Sequence, residues 1–299
     1  MNNRTLTQIP NVNKAMLFMV IGVMLLPFTD TIAKYLSTTL SPTQIAWLRF
    51  TLQALFIFIL TFFIKEKIGK FKLNYLYLGF FVSTSILLLF WGLKYLPLAN
   101  NIALFFIEPL VLTLLSIIFL KEKVFKEHII AVILGLIGTL IIIRPNLSMY
   151  GIAAFLPILS AILYALYLMF IRLSSNLGNS VTIQFYIGIV ASLFLSICLL
   201  IGESFSLEIL KFNSIDMSYW WIILALGILT TFIQLLISKA FYYANASVLA
   251  SFQYLEIIFA TFLGWIIFND IPDRLTILGA FIVIFAGLYL IKYERKKKK

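Results

Sequence analysis

The chain is a succession of apolar runs, each long enough to cross a bilayer, separated by short polar loops. A spanning helix needs about 20 mostly apolar residues. Ten such runs are legible, at 15–36, 42–64, 73–95, 97–120, 127–143, 151–172, 180–202, 217–240, 245–268 and 273–292. A soluble fold could not cover them, because only 12% of the residues are charged, against roughly 25% in soluble domains. That excludes a cytosolic enzyme, a disordered chain and a disulfide-stapled secreted scaffold. The expected fold is an all-α polytopic membrane protein of ten transmembrane helices. Cys198, the single cysteine, lies in an apolar run and reads as a small core or lipid-facing residue. The first run follows Arg4 and Lys14 as a signal peptide would. No small-residue cleavage site follows, and the helical pattern continues past Pro27 to Asp30 and Lys34, so it reads as a span.

Charge sets the expected orientation. With the N-terminus inside, only Lys34, Lys94, Arg144, Lys211 and Arg274 fall outside, and Arg49 falls within span two. The remaining 17 of the 23 Lys and Arg residues, six of them between Lys292 and Lys299, fall inside. This bias places both termini in the cytoplasm. It also accounts for the net charge of +11 without a nucleic-acid partner, for which there is no soluble segment.

An internal repeat divides the chain into 1–147 and 148–292, with a basic tail at 293–299. Sliding the sequence by 148 residues aligns 79–127 with 227–275 without a gap. Identities include Gly79/Gly227, Tyr95/Tyr243, Glu108/Glu256 and Thr113/Thr261, with Glu122/Asp270 matched in charge. Each half holds five spans, an odd number, so the second enters the membrane inverted. Inverted repeats characterise alternating-access carriers, whose substrate site lies at the repeat interface near the midplane.

The candidate site residues follow from depth. Glu108 and Glu256 each lie about eleven residues into a span, about 16 Å deep at 1.5 Å per residue. An ionised acid there costs about 2.5–3.5 kcal/mol, so it should face a cavity or a partner. The pair reads as cation- or proton-binding carboxylates, or as glutamates that join helices. Arg49 could hold a substrate carboxylate bidentately, or neutralise Asp30 or a glutamate. Asp30 and Lys34, one turn apart, could pair with each other. Trp47, Trp91, Phe105, Phe106, Tyr186 and Tyr254 are candidate aromatic surfaces, with Gln234 and Gln253 as amides. Pro109 frees the carbonyl of Phe105, and Pro27 and Pro157 do the same in their spans, as kinks or gating points. Trp220 and Trp221 read as an interfacial belt. Ala131, Gly135 and Gly138, with Gly279 and Gly287, read as close-packing positions. His128 stands alone, and neither a metal cluster, a nucleophile–His pairing nor a phosphate-cradling loop is present. No cofactor is expected.

These residues resemble the drug/metabolite transporter superfamily, EamA type, over essentially the whole length. The resemblance rests on two five-span repeats, Lys34, the Leu48-Arg49-Phe50 triplet, Ile107-Glu108-Pro109-Leu110 and Leu120-Lys121-Glu122-Lys123. In the second half Leu255-Glu256-Ile257-Ile258 and Asn269-Asp270 repeat the pattern, with Ile257 in place of the usual proline. Span nine therefore lacks the residue that would kink it. Within the superfamily the chain is similar to S-adenosylmethionine uptake carriers of obligate intracellular bacteria. That resemblance implies import across the bacterial inner membrane, with S-adenosylhomocysteine as an exchange partner. Glu108 or Glu256 would meet the sulfonium or ammonium, Arg49 the carboxylate, and aromatic rings the purine. The alternatives are an exporter of amino acids or related amphipathic metabolites, driven by protons, and a membrane scaffold or channel with no coupled cycle.

Overall fold

In a computed structural model, residues 11–297 are described apart from 65, 93–94, 97, 144–150, 176–177, 206, 208 and 269–272. The repeat boundary at 147–148, the basic residues Arg4, Lys94 and Arg144, and Asp270 lie outside these. Helices account for the described spans. They are α1 (Val12–Leu36), α2 (Pro42–Leu60), α3 (Asn74–Gly92), α4 (Leu98–Phe105), α5 (Glu108–Ile118) and α6 (Lys126–Ile143) in the first half. The second half holds α7 (Phe155–Ser174), α8 (Ser180–Ser204), α9 (Trp220–Tyr243), α10 (Ala246–Ala250), α11 (Leu255–Phe268) and α12 (Arg274–Lys297). Among the described residues, eight stretches are long and apolar enough to cross a membrane. Their outer faces are apolar too: Trp221 is 79% exposed and Phe281 66%, as a lipid-facing surface requires. At the basic end, α12 runs on as far as Lys297.

Local chemistry starts and breaks these helices. The Ser41 hydroxyl accepts from the Gln44 N–H ahead of Pro42, and the Asn179 side chain does the same for Thr182. Each caps the second helix of its half. Runs four and nine are the exceptions to continuity. Each is split into two helices, at Phe106–Ile107 and at Ser251–Tyr254. Pro109 stands just inside α5, where a missing N–H costs nothing. Span nine breaks at the matching place without a proline. There the chain tightens into i→i−3 bonds, from Phe252 N–H to Leu249 and on to Ile257 N–H to Tyr254. The other two prolines do not interrupt their helices. Pro157 lies in the first turn of α7, and α1 runs unbroken through Pro27, whose carbonyl accepts from the Thr31 hydroxyl.

Packing pairs the halves rather than stacking them. The helix α1 lies on α9 as α3 lies on α7, α2 crosses α8, and α6 crosses α12. Exchanging the halves helix for helix maps this pattern onto itself, the arrangement of two inverted five-span repeats. The shared glycine shows why. A methyl group added at Gly79 would stand 2.5 Å from Val190 of α8, and one at Gly227 would stand 2.5 Å from Leu52 of α2. Leu52 and Val190 are 138 positions apart, so the second helices repeat with a shorter offset than the third. Gly138 and Gly279 meet at the α6–α12 crossing, where each added methyl would approach the other's carbonyl oxygen to 2.8 and 2.6 Å. Gly287, by contrast, has only Leu255 nearby, at 3.9 Å.

Candidate functional site

The two broken spans meet at their breaks. Glu108 opens α5 and is 1% exposed, and the Gln253 side-chain amide donates to its Oε1 across 3.4 Å. Gln253 lies in the break between α10 and α11, so this contact crosses from one half of the chain to the other. Both residues line a cavity of about 390 Å³, within the roughly 300–1,000 Å³ range of small-molecule sites.

Around that cavity the bundle gathers five charged side chains. Asp30 and Lys34 enter from α1, Arg49 from α2, Glu108 from α5 and Glu256 from α11. The carboxyls of Asp30 and Glu256 lie within hydrogen-bonding reach of each other, and Arg49 is near enough to act on both electrostatically. Two carboxyls can share a hydrogen bond only by sharing a proton, so this pair can carry one proton or, on losing it, meet a cation. Arg49 is 5% exposed, and its Nε has no hydrogen-bond partner. Asn101 presents a matching vacancy of opposite type. Its amide donates to the Leu89 carbonyl, while its buried Oδ1 is unpartnered. An unpaired buried donor and acceptor each cost about 1–3 kcal/mol.

Ile102, Phe105, Phe106 and Tyr164 complete the apolar and aromatic wall. The mouth lies at the end of the bundle bearing the α1–α2 connection, among Ser37, Thr38 and Thr39, and beside Ile209 and Asn213. Asn213 is fixed there by Gln44, which both donates to its carbonyl and accepts from its N–H. Beyond the floor, one turn past Arg49, runs a buried chain from Gln53 to Gln184, Tyr167 and Gln234.

Of the residues singled out from sequence, Glu108, Glu256, Arg49, Phe105 and Gln253 are brought together here. Trp47, Trp91, Tyr186 and Tyr254 are not among the cavity-lining residues. Trp47 donates to Ser196 at 2.7 Å and stacks edge-on with Phe212, which ties α2 to α8 and its following loop. Trp91 belongs to a shallow apolar crevice beside Phe155. Tyr186 stacks on Tyr75 and donates to the Gly69 carbonyl near the α2–α3 connection. Tyr254 is fully buried against Phe106, and a side chain at Gly135 would strike its ring. Asn101 and Tyr164 were missed by the sequence reading. Asn101 carried a signal, being a polar residue at the fifth position of run four.

A bundle of helices long and apolar enough to cross a membrane, with a mixed-charge cavity between two inverted repeats, is an architecture of membrane transport proteins. The chain belongs to the EamA-like transporter family, whose model matches residues 13–144 and again 151–293. It is similar to the riboflavin transporter of Vibrio cholerae serotype O1, 25% identical over 95% of this chain and 94% of that one. It is as similar to the pseudopaline exporter CntI of Pseudomonas aeruginosa, 25% identical over 89% of this chain and 92% of the other. The S-adenosylmethionine uptake transporter of Rickettsia prowazekii is 24% identical over 89% of this chain and 88% of its own. A solved crystal structure shares the fold with a TM-score of 0.80 at 14% identity, covering 93% of this chain and 98% of that one.

Proposed function

We propose that this transporter works by alternating access and takes up S-adenosylmethionine, in exchange for S-adenosylhomocysteine. The observation that carries this reading is the mixed-charge cavity, in which three carboxyls face an arginine with an unpaired Nε. S-adenosylmethionine has a sulfonium and an ammonium for the Asp30–Glu256 pair and Glu108, and a carboxylate for Arg49. Its adenine fits an apolar wall that includes Phe105 and Tyr164. Riboflavin carries no charge to match these groups, which favours the S-adenosylmethionine reading over the riboflavin one. The orientation proposed with it follows the basic residues, with both termini cytoplasmic in a bacterial inner membrane. The cavity mouth then faces outward, as uptake requires of the loading state. The transporter performs no chemical step on its cargo and needs no cofactor.

Cells expressing the chain should take up labelled S-adenosylmethionine saturably. Excess S-adenosylhomocysteine should block uptake more strongly than riboflavin or free amino acids do. Uptake indistinguishable from cells lacking the chain, or blocked only by amino acids, would overturn the substrate assignment in favour of an amino-acid exporter.

A further inference from the structure

We infer that Glu122 and Arg172 form the cytoplasmic gate of this transporter, an inference that rests on the alternating-access reading above. The pair lies at the end of the bundle opposite the cavity mouth, with Arg172 Nε 3.5 Å from Glu122 Oε1 and each side chain 8% exposed. The side-chain bonds of the pair cross between elements that must part for the cavity to open at this end. Arg172, at the end of α7, donates to the Phe241 carbonyl and to Asn245 Oδ1, each at 2.8 Å, and so holds the end of α9. Glu122, just beyond α5, accepts from the N–H groups of Ala246 and Ser247 and from the Ser247 hydroxyl, at 3.1–3.2 Å, and so holds the start of α10. Lys121, whose backbone is left-handed with φ 51°, turns the chain to aim that carboxylate.

The same two short helices meet again inside the cavity. One end of α5 carries Glu108, and the break that follows α10 carries Gln253. Their contact in the cavity and the Glu122 contacts at the far end tie α5 and α10 together at both ends. A guest that takes over Glu108 or Gln253 releases the inner tie, leaving the Glu122–Arg172 pair to hold the gate. A partly buried ion pair without ideal alignment suits that duty. The Arg172 Nε makes no hydrogen bond, so the attraction is not reinforced as in a bidentate pair.

The test uses the full chain in vesicles, with Cys198→Ser as background and Ser238→Cys as reporter. Ser238 is 2% exposed, its hydroxyl has no partner, and it sits one turn before Phe241 on α9. A membrane-impermeant maleimide applied from the cytoplasmic side should label this cysteine about tenfold faster in Glu122→Gln and in Arg172→Gln than with the gate intact. A second reporter, Ser37→Cys at the mouth, should label more slowly from the outside in the same variants. Arg172→Lys should restore slow labelling at 238. If the charge-removing variants fail to fold, Asn245→Ala, which removes one bond to Arg172, should still raise labelling about threefold. Unchanged labelling at 238 in folded variants overturns the gate, and if the intact protein still shows counterflow the carrier reading survives it. An intact protein without counterflow overturns both.

Discussion

At the residue scale, the site combines charges that the bilayer makes expensive with polar atoms left unpaired. Hydrogen bonds to charged groups contribute about 1.5–3 kcal/mol, or roughly 10–150-fold in affinity. Glu108→Gln keeps a side chain able to reach Gln253 but loses the charge. Its expected effect is a rise in the KM for uptake in that range at equal expression, with thermal stability unchanged or higher because a buried acid is gone. Arg49→Lys keeps the charge and loses the planar fork, and should raise KM about tenfold while leaving the amount of folded protein intact. Competition uptake assays with size-exclusion profiles check both. Sequence could find Glu108, Glu256 and Arg49 because an ionisable group at midspan stands out against an apolar background. It could not choose among the aromatic residues. In a helix whose lipid face and core face are equally apolar, Trp47 and Phe105 look alike until packing sends one to Ser196 and the other to the cavity.

At the element scale, the informative feature is that spans four and nine break at equivalent places although only one has a proline. The split therefore follows the repeat and its packing, and Pro109 accommodates it without causing it. Pro109→Ala should leave transport within about threefold of the unaltered chain, since it restores one N–H at a helix start where none is needed. Initial uptake rates test this, and a loss of more than tenfold would make the proline itself the hinge. Lys121 tests the gate's geometry. A non-glycine residue in the left-handed region costs about 1–2 kcal/mol, so Lys121→Gly should raise the unfolding temperature and preserve transport, whereas Lys121→Val should lower it. Thermal unfolding in detergent separates the two. The ten hydropathic runs foretold the helices to within a few residues. The breaks were not legible in span nine, because i→i−3 bonding leaves no signature in residue type.

At the scale of the whole molecule, the two halves share one interior, and their repeated residues divide into packing and function. Gly79 and Gly227 recur because each lets a neighbouring helix approach too closely for any side chain. Gly79→Ala or Gly227→Ala should each cost about 1–3 kcal/mol by overpacking, read as lower folded yield and a lower unfolding temperature. Glu108 and Glu256 recur in the cavity, yet Asp30 and Arg49 have no counterparts, since Leu168 and Ile187 stand at the positions 138 residues on. The repeat thus supplies a symmetric frame, and the first half supplies the asymmetric charges. Counterflow in proteoliposomes tests the alternating-access account most directly. Unlabelled S-adenosylmethionine trapped inside should accelerate entry of the labelled compound and drive a transient overshoot. Entry that neither saturates nor responds to the trapped substrate, as through a channel, would contradict the account.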